Sequence, residues 1–475
     1  MSTMVRARVG GGGALWQSLG SLLSPKSHRR VDLFARQLER FGQFTNAILR
    51  GNLEQQPNHS GPLGPGFARQ LMTGQSCNGE NWVQSQISTF KRGVPVEEAV
   101  TPPSSWYTSP EILTLELEKI FQRRWLAVGR VEQLQSPGDF FTGKVGRVRY
   151  VVCMDEQGTV RALHNVCRHH AAAVATGSGC TSSFVCPYHG WTYALDGKLL
   201  KASRLGGIKN FSAQKNGLSP LRAGTWGPFV LISSPIEDTD SRTEAKEFLG
   251  NVAKTYTVEE EWLGSAAEVL AQAKIDSSLR YVTTREYTLN CNWKVFCDNY
   301  LDGGYHVPYA HTNLASDLNL KSYSTTLSEK VSIQSCRAAK PNSGAERVGE
   351  SATYAFVYPN FMINRYGPWM DTNLVLPITA TQCRVIFDYF LESSYPHDAS
   401  FIKETLECSD VVQQEDIALC EAVQEGLQSP AYDVGRYAPN VEHAMHHFHT
   451  LLHEDLSGDT GTFTGMNIED LQEAI

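Results

Sequence analysis

Apolar and polar positions change rhythm several times along the chain. Between residues 140 and 154 apolar residues form short runs around a polar break at Lys144–Arg147, which predicts two strands. Asp155-Glu156-Gln157-Gly158 predicts a turn, and residues 160–166 a further strand. Short strands between glycine turns continue to about Ser234, so this stretch reads as a small all-β domain. Upstream, Ser109-Pro110-Glu111 has the make-up of a helix start, with proline in the first turn, and predicts a helix from Ile112 to about Arg123. Downstream of a polar, loop-like stretch at 235–243, residues 244–255 and 401–427 carry helical patterns. Residues 281–289 and 382–391 carry strand patterns, so the second half reads as α+β. No internal repeat with a period of about 20 to 50 residues is evident.

The first 75 residues follow no such rhythm. They are rich in Gly, Ser and Arg, with Gly10 to Gly13 in a row and a Pro/Gly stretch at 61–66. Residues 31–50 place Phe34, Leu38, Phe41 and Ile48 near helical spacing. This composition is that of an organellar transit peptide, and a disordered tail without an address is the alternative. Charge divides at the same place. The chain carries 42 Lys+Arg against 50 Asp+Glu, a net charge of -8, yet residues 1–75 hold nine basic and three acidic residues. The remaining 400 residues therefore carry -14, which argues against general nucleic-acid binding. The total of 475 residues suggests about three units, and setting the basic segment aside leaves two domains. No run of about 18 uninterrupted apolar residues points to a transmembrane helix. Eleven cysteines, odd in number and scattered, do not form a disulfide framework, and a reducing compartment fits them better.

Two constellations carry chemistry. Cys167-Arg168-His169 and Cys186-Pro187-Tyr188-His189 form the pattern C-x-H, sixteen residues, C-x-x-H. Two thiolates and two imidazoles on two loops can hold one tetrahedral zinc or one Rieske [2Fe–2S] cluster, in which two Cys hold one iron and two His the other. His170 is a neighbouring competitor for His169, and Cys180 reads as a loop residue. Further on, His306 and His311 could converge on one metal if the helix breaks between them, and Pro308 would supply the break. Two His and one carboxylate make the facial triad of non-haem Fe(II) oxygenases, with a structural histidine pair as the alternative. The acids at 415 and 416 lie in the helical stretch 401–427. The tail histidines His443, His446, His447, His449 and His453 suit two faces of a terminal helix rather than a further metal site.

Residues 90–455 resemble the Rieske non-haem iron ring-hydroxylating oxygenases, and within them the plant choline monooxygenase type. The resemblance rests on Cys186-Pro187-Tyr188-His189-Gly190-Trp191, on 298–311, on 99–107, on Tyr366-Gly367-Pro368-Trp369-Met370-Asp371-Thr372-Asn373 and on His446-His447-Phe448-His449. It implies an α+β chain: an all-β Rieske [2Fe–2S] domain at 126–235 and a helix-grip catalytic domain with a curved antiparallel sheet at 236–475. A segment at 90–125 would pack on the catalytic domain. It selects Cys167, His169, Cys186 and His189 as cluster ligands. His306, His311 and Asp416 would hold a mononuclear Fe(II), with Glu415 as fallback for Asp416.

An acid bridging the two metal sites usually stands three residues before the first iron histidine in this family. Here that position is Gly303, which leaves Asp302 or Asp298. The implied reaction is ferredoxin-dependent oxidation of choline by O2 to betaine aldehyde hydrate, the first step of glycine betaine synthesis. Demethylation of another quaternary amine, carnitine or glycine betaine, is the alternative. A homotrimer with head-to-tail electron transfer and a chloroplast stromal location are implied, with the cytoplasm as the alternative location. Trp369, Tyr366, Phe361, Tyr305 and Tyr309 are candidates to hold the quaternary ammonium through cation–π attraction, and Asp371 or Glu346 could add charge.

Overall fold

The computed structural model describes residues 79–234, 257–275, 278–339, 349–396 and 398–458. The expectations for 1–75, 235–243 and 244–255, and for Glu346, lie outside the described residues.

The described chain opens with helices α1 (Gly79–Ile87), α2 (Ser105–Thr108) and α3 (Pro110–Lys119). Ser109 caps α3, its Oγ accepting from the Ile112 amide at 3.2 Å, and Pro110 fills the first turn. The helix ends at Lys119, short of the expected Arg123, and the next two residues, Ile120 and Phe121, are buried in the core.

The all-β stretch follows as β1 (Leu126–Arg130), β2 (Asp139–Val145), β3 (Val148–Met154), β4 (Val160–His164), β5 (Ser178–Cys180), β6 (Phe184–Val185), β7 (Thr192–Tyr193), β8 (Leu199–Lys201), β9 (Pro220–Trp226) and β10 (Phe229–Ser233). Seven strands form one sheet in the order β1-β10-β9-β4-β3-β2-β5, and β6-β7-β8 form a small second one. The small sheet packs on β3 and β4 around Val151, Cys153, Leu163, Trp191 and Tyr193, a core separate from the main one.

The second half contains α4 (Val258–Trp262), α5 (Ala266–Gln272), β11 (Leu279–Leu289), α6 (Trp293–Tyr300), α7 (Val307–Ala310), α8 (Thr312–Asp317), β12 (Leu318–Leu327), β13 (Val331–Ala338), β14 (Ser351–Val357), β15 (Phe361–Tyr366), β16 (Trp369–Thr379), β17 (Gln382–Glu392), α9 (Ala399–Leu427) and α10 (His443–Ser457). Its seven strands make one curled antiparallel sheet in the order β11-β17-β16-β15-β14-β13-β12. The sheet holds the 29-residue α9 against one face: Tyr287 Oη donates to Asp410 at 2.7 Å, and Tyr389 Oη lies 2.9 Å from Ser409 Oγ.

Side-chain alternation divides this sheet. Met362 and Tyr366 of β15, with Trp369, Phe387 and Tyr389 of β16 and β17, share the core that also contains α6 and α10 residues. Phe361 and Ile363 point the other way and join Trp125, Phe229 and Trp262. Phe229 of β10 meets Phe361 edge-on at 5.1 Å, so the all-β stretch and the second sheet share a packed core. The N-terminal segment is fastened by a buried ion pair. Lys294 Nζ sits 2.5 Å from Glu116 Oε1, both fully buried, and Trp293 Nε1 donates to Glu116 Oε2 at 2.7 Å. Removing one partner of such a pair costs about 3–5 kcal/mol.

Candidate active site

The two Cys-His loops are built alike. In the first, the Ala171 amide donates to the Cys167 carbonyl at 2.9 Å. In the second, the Gly190 amide donates to the Cys186 carbonyl at 3.0 Å. Both closing residues have positive φ, 60° and 70°. Asn165 holds the first loop from below, its Oδ1 accepting from the Val174 and Ala175 amides at 2.8 and 3.1 Å. Each loop buries its cysteine and exposes its histidine. His169 Nδ1 and His189 Nδ1 lie 3.1 Å apart at the tip. His169 stacks on Trp191 and His189 on Tyr188.

The Tyr193 hydroxyl sits 3.2 Å from Cys167 Sγ and accepts the Arg168 amide at 3.0 Å. Burial raises the Cys167 thiol, but the Tyr193 hydroxyl, the His169 and His170 amides and Cys186 outweigh it and hold the thiol below its ordinary value. Tyr193 is absent from the sequence-level candidates, because nothing in the ligand spacing marks it.

His170 joins His169 and His189 within 4.8 Å, and neither cysteine joins that group. One tetrahedral zinc would draw all four donors within about 4 Å of each other. A cysteine end set apart from a histidine end fits the donor set of a two-iron Rieske cluster.

The second constellation begins where α6 ends. Gly303 and Gly304 both have positive φ, 72° and 73°, and turn the chain sharply. A Cβ on Gly303 would fall 2.2 Å from the Val441 carbonyl oxygen, so no acid fits the family's usual position. Asp302, one residue earlier, reaches through the turn. Its Oδ1 accepts the Gly304 and Tyr305 amides, and its Oδ2 accepts the His306 amide at 2.9 Å and lies 2.6 Å from His306 Nδ1.

Pro308 does not break a helix, as the spacing suggests. It lies in the first turn of α7, and the break falls at His311, with φ −112° and ψ 66°. The outcome is the expected convergence. His306 Nε2 and His311 Nε2 are 3.1 Å apart, and Asp416 Oδ1 lies 3.1 Å from His311 Nε2 and 3.6 Å from His306 Nε2. All three donors lie within 4.8 Å of one another.

Glu415 takes a different place from the fallback ligand. Its Oε2 is 2.7 Å from His311 Nδ1, on the far side of the ring. Each imidazole thus has a carboxylate on Nδ1, which fixes the tautomer with a lone pair on Nε2 facing the third acid. Burial lowers the His311 pKa, but Asp416 and Glu415 outweigh it and raise it overall. Two imidazoles and one carboxylate on one side of a shared point form the donor set for iron(II) with open positions.

The other candidates separate. Asp298 belongs to another network, accepting from Tyr107 Oη at 2.7 Å and meeting His449 Nε2 at 2.9 Å, with Tyr437 Oη 2.7 Å from His449 Nδ1. His447 and His449 are both buried residues of α10. Tyr305 and Tyr309 are 52% and 80% exposed and so lie on the surface beside the histidines. Trp369 and Tyr366 lie on the sheet face turned to α6 and α9. Phe361 lies on the opposite face and cannot line the same site.

Two family models match the chain: a Rieske [2Fe-2S] domain over residues 124–212 and a ring hydroxylating alpha subunit catalytic domain over 276–458. Chloroplastic choline monooxygenase of Arabidopsis thaliana is 55% identical over 376 residues, covering 79% of this chain and 87% of the relative. The chain belongs to the Rieske oxygenases of the plant choline monooxygenase type. The Amaranthus tricolor relative is 45% identical, covering 78% of this chain and 81% of the relative. A carnitine monooxygenase oxygenase subunit of Acinetobacter pittii is more distant, 28% identical over 70% of this chain and 87% of its own. Among solved structures, a quaternary ammonium Rieske monooxygenase described in terms of carnitine oxidation and inter-subunit electron transfer superposes with a TM-score of 0.65. It is 25% identical and covers 78% of this chain and 98% of its own. Membership in this family brings a Rieske [2Fe–2S] cluster and a mononuclear iron.

Proposed function

We propose that this chain is a choline monooxygenase: choline, O2, two electrons and two protons give betaine aldehyde hydrate and water. The observation that carries the substrate assignment is the 55% identity to a choline monooxygenase, against 28% for a carnitine enzyme. The convergence of His306, His311 and Asp416 supplies the chemistry.

Cys167, His169, Cys186 and His189 would hold the cluster, and His306, His311 and Asp416 the mononuclear iron. Bound there, iron supplies activation of O2 for hydroxylation of the carbon bearing the choline hydroxyl. The chain's own part is orientation. Asp302 and Glu415 each hold a proton on the remote nitrogen of a histidine, so that both Nε2 lone pairs face inward.

Reduced ferredoxin is the proposed electron donor, and a head-to-tail homotrimer the proposed assembly. The exposed His169 and His189 suit docking against a neighbouring subunit, and Asp302 is the proposed bridge because it touches His306 directly. The chloroplast stroma is the proposed location, by likeness to relatives named chloroplastic.

Product analysis on protein loaded with iron and sulfide tests the reading. Incubation with choline, O2 and reduced ferredoxin is expected to yield betaine aldehyde. Release of formaldehyde from carnitine or glycine betaine, with choline untouched, would replace it by demethylation.

A further inference from the structure

The sheet face turned to α6 and α9 carries an uncommon buried polar patch. Asn364 of β15 stands opposite Asp371 of β16, and Asp371 opposite Tyr389 of β17. Asp371 is 4% exposed. It accepts from Asn364 Nδ2 at 2.6 Å and from Tyr366 Oη at 2.5 Å. Asn364 also donates to Asn373 Oδ1 at 2.9 Å, and its Oδ1 accepts from Tyr300 Oη at 2.8 Å. Tyr300 ends α6, two residues before Asp302, so two hydrogen bonds lead from Asp371 to the helix that leads into the iron loop.

The helix across from this patch is polar as well. Ser409, Gln413 and Asp416 are spaced four and three residues apart, which puts them on one face of α9. Ser409 meets Tyr389, so this face looks onto the patch. Gln413 is 4% exposed and Asn373 3%, and the Nε2 and Nδ2 of these two amides have no hydrogen-bond partner among the described residues. Unpaired buried amides are costly inside a core unless a partner completes them.

We infer that Asp371 is the anionic group that recognises the quaternary ammonium of the substrate, in a site between β15–β17 and α9. The inference rests on the reading of this chain as a choline monooxygenase of the Rieske type and names the residue behind its specificity. A quaternary ammonium offers no N–H, so it is bound by charge and by aromatic faces rather than by hydrogen bonds. Asp371 supplies the charge, while Tyr366 and Trp369 on the same sheet face supply aromatic surface. Tyr366 has a second task, since its hydroxyl orients the Asp371 carboxylate. The Gln413 amide, one turn before Asp416, is suited to donate to the substrate hydroxyl oxygen. This polarity would set the ammonium at the sheet and the hydroxyl-bearing carbon toward the iron ligands.

The test compares choline with dimethylbutanol, its isostere with carbon in place of nitrogen, on iron-loaded wild type and Asp371→Asn. The wild type is expected to prefer choline in kcat/KM, and Asp371→Asn to reduce that preference by about 10- to 100-fold, with cluster spectrum and iron content unchanged. An unchanged preference, or an equal loss for both substrates, would overturn the inference. Wild type that oxidises neither compound would instead sink the choline reading itself, and the inference with it. A crystal structure of wild-type holoenzyme with choline decides independently of any variant. The nitrogen beside the Asp371 carboxylate supports the inference, and the nitrogen elsewhere ends it.

Discussion

Asp302 Oδ2 lies 2.6 Å from His306 Nδ1, and the same carboxylate closes the loop by accepting three backbone amides. One side chain therefore shapes the loop, sets the histidine tautomer and adds negative charge beside the candidate metal site. Asp302→Asn keeps the size but can donate where the carboxylate accepts. Steady-state turnover with reduced ferredoxin is expected to fall about 10- to 100-fold or more, while the visible spectrum of the cluster stays as in wild type. Wild-type turnover in this variant would remove Asp302 from the electron route and from ligand positioning alike.

Glu415 and Asp416 are neighbours in sequence with different tasks. Asp416 faces both Nε2 atoms, whereas Glu415 holds the far nitrogen of His311. Asp416→Ala is expected to lose the mononuclear iron, and Glu415→Gln to keep it with an affinity weakened about 10- to 100-fold. Iron titration of cluster-loaded protein separates the two, and equal iron loss in both would make Glu415 a ligand after all.

The Tyr193 hydroxyl lies 3.2 Å from Cys167 Sγ, placed to donate to it once the sulfur is a thiolate. A hydrogen bond to a ligand sulfur withdraws charge and favours the reduced cluster. Tyr193→Phe should therefore lower the Rieske potential with no change in iron content, as read by a spectroscopic redox titration. A potential that stays put would show the hydroxyl pointing elsewhere in the loaded protein.

Burial, with a smaller contribution from His446, lowers the pKa of His447 to about 4. The unfolded chain protonates this histidine near its ordinary value of about 6.5, while the folded chain holds it neutral. Its contribution to stability is thus present above pH 6.5 and is lost as pH falls from there to about 4. Urea unfolding across that window should show a slope of about 1.4 kcal/mol per pH unit from this one group. His447→Gln should remove that slope, and an unaltered pH dependence in the variant would contradict the burial argument.

The candidate metal ligands were legible because their spacing is local: C-x-H, C-x-x-H and two histidines five apart can be read without a fold. The acids were harder. Asp302 reaches His306 only because Gly303 and Gly304 adopt positive φ, and Gly303 is required by the Val441 carbonyl, far along the chain. Glu415 and Asp416 differ by one helical step, and which of them faces the two Nε2 atoms is decided by how α9 rests on the sheet. Asp298 reads as the alternative to Asp302 until Tyr107 and His449 are seen to claim it. The aromatic candidates suffered most. All six residues of β15 are buried, so no alternation in hydropathy distinguishes Phe361 on one face from Tyr366 on the other. The strands at 281–289 and 382–391 and the helix at 401–427 were legible within a few residues, because each pattern extends over several repeats of its own period.

The central claim is that His306, His311 and Asp416 hold an iron that works with a separate Rieske cluster on choline. Its most direct measurement compares wild type with His306→Ala after loading with iron and sulfide. Each would be reduced anaerobically, given choline and exposed to O2 for a single turnover. The wild type should form betaine aldehyde. His306→Ala should carry one iron fewer per chain, keep its cluster spectrum and form no product. Equal iron content and equal product in the two proteins would contradict the account.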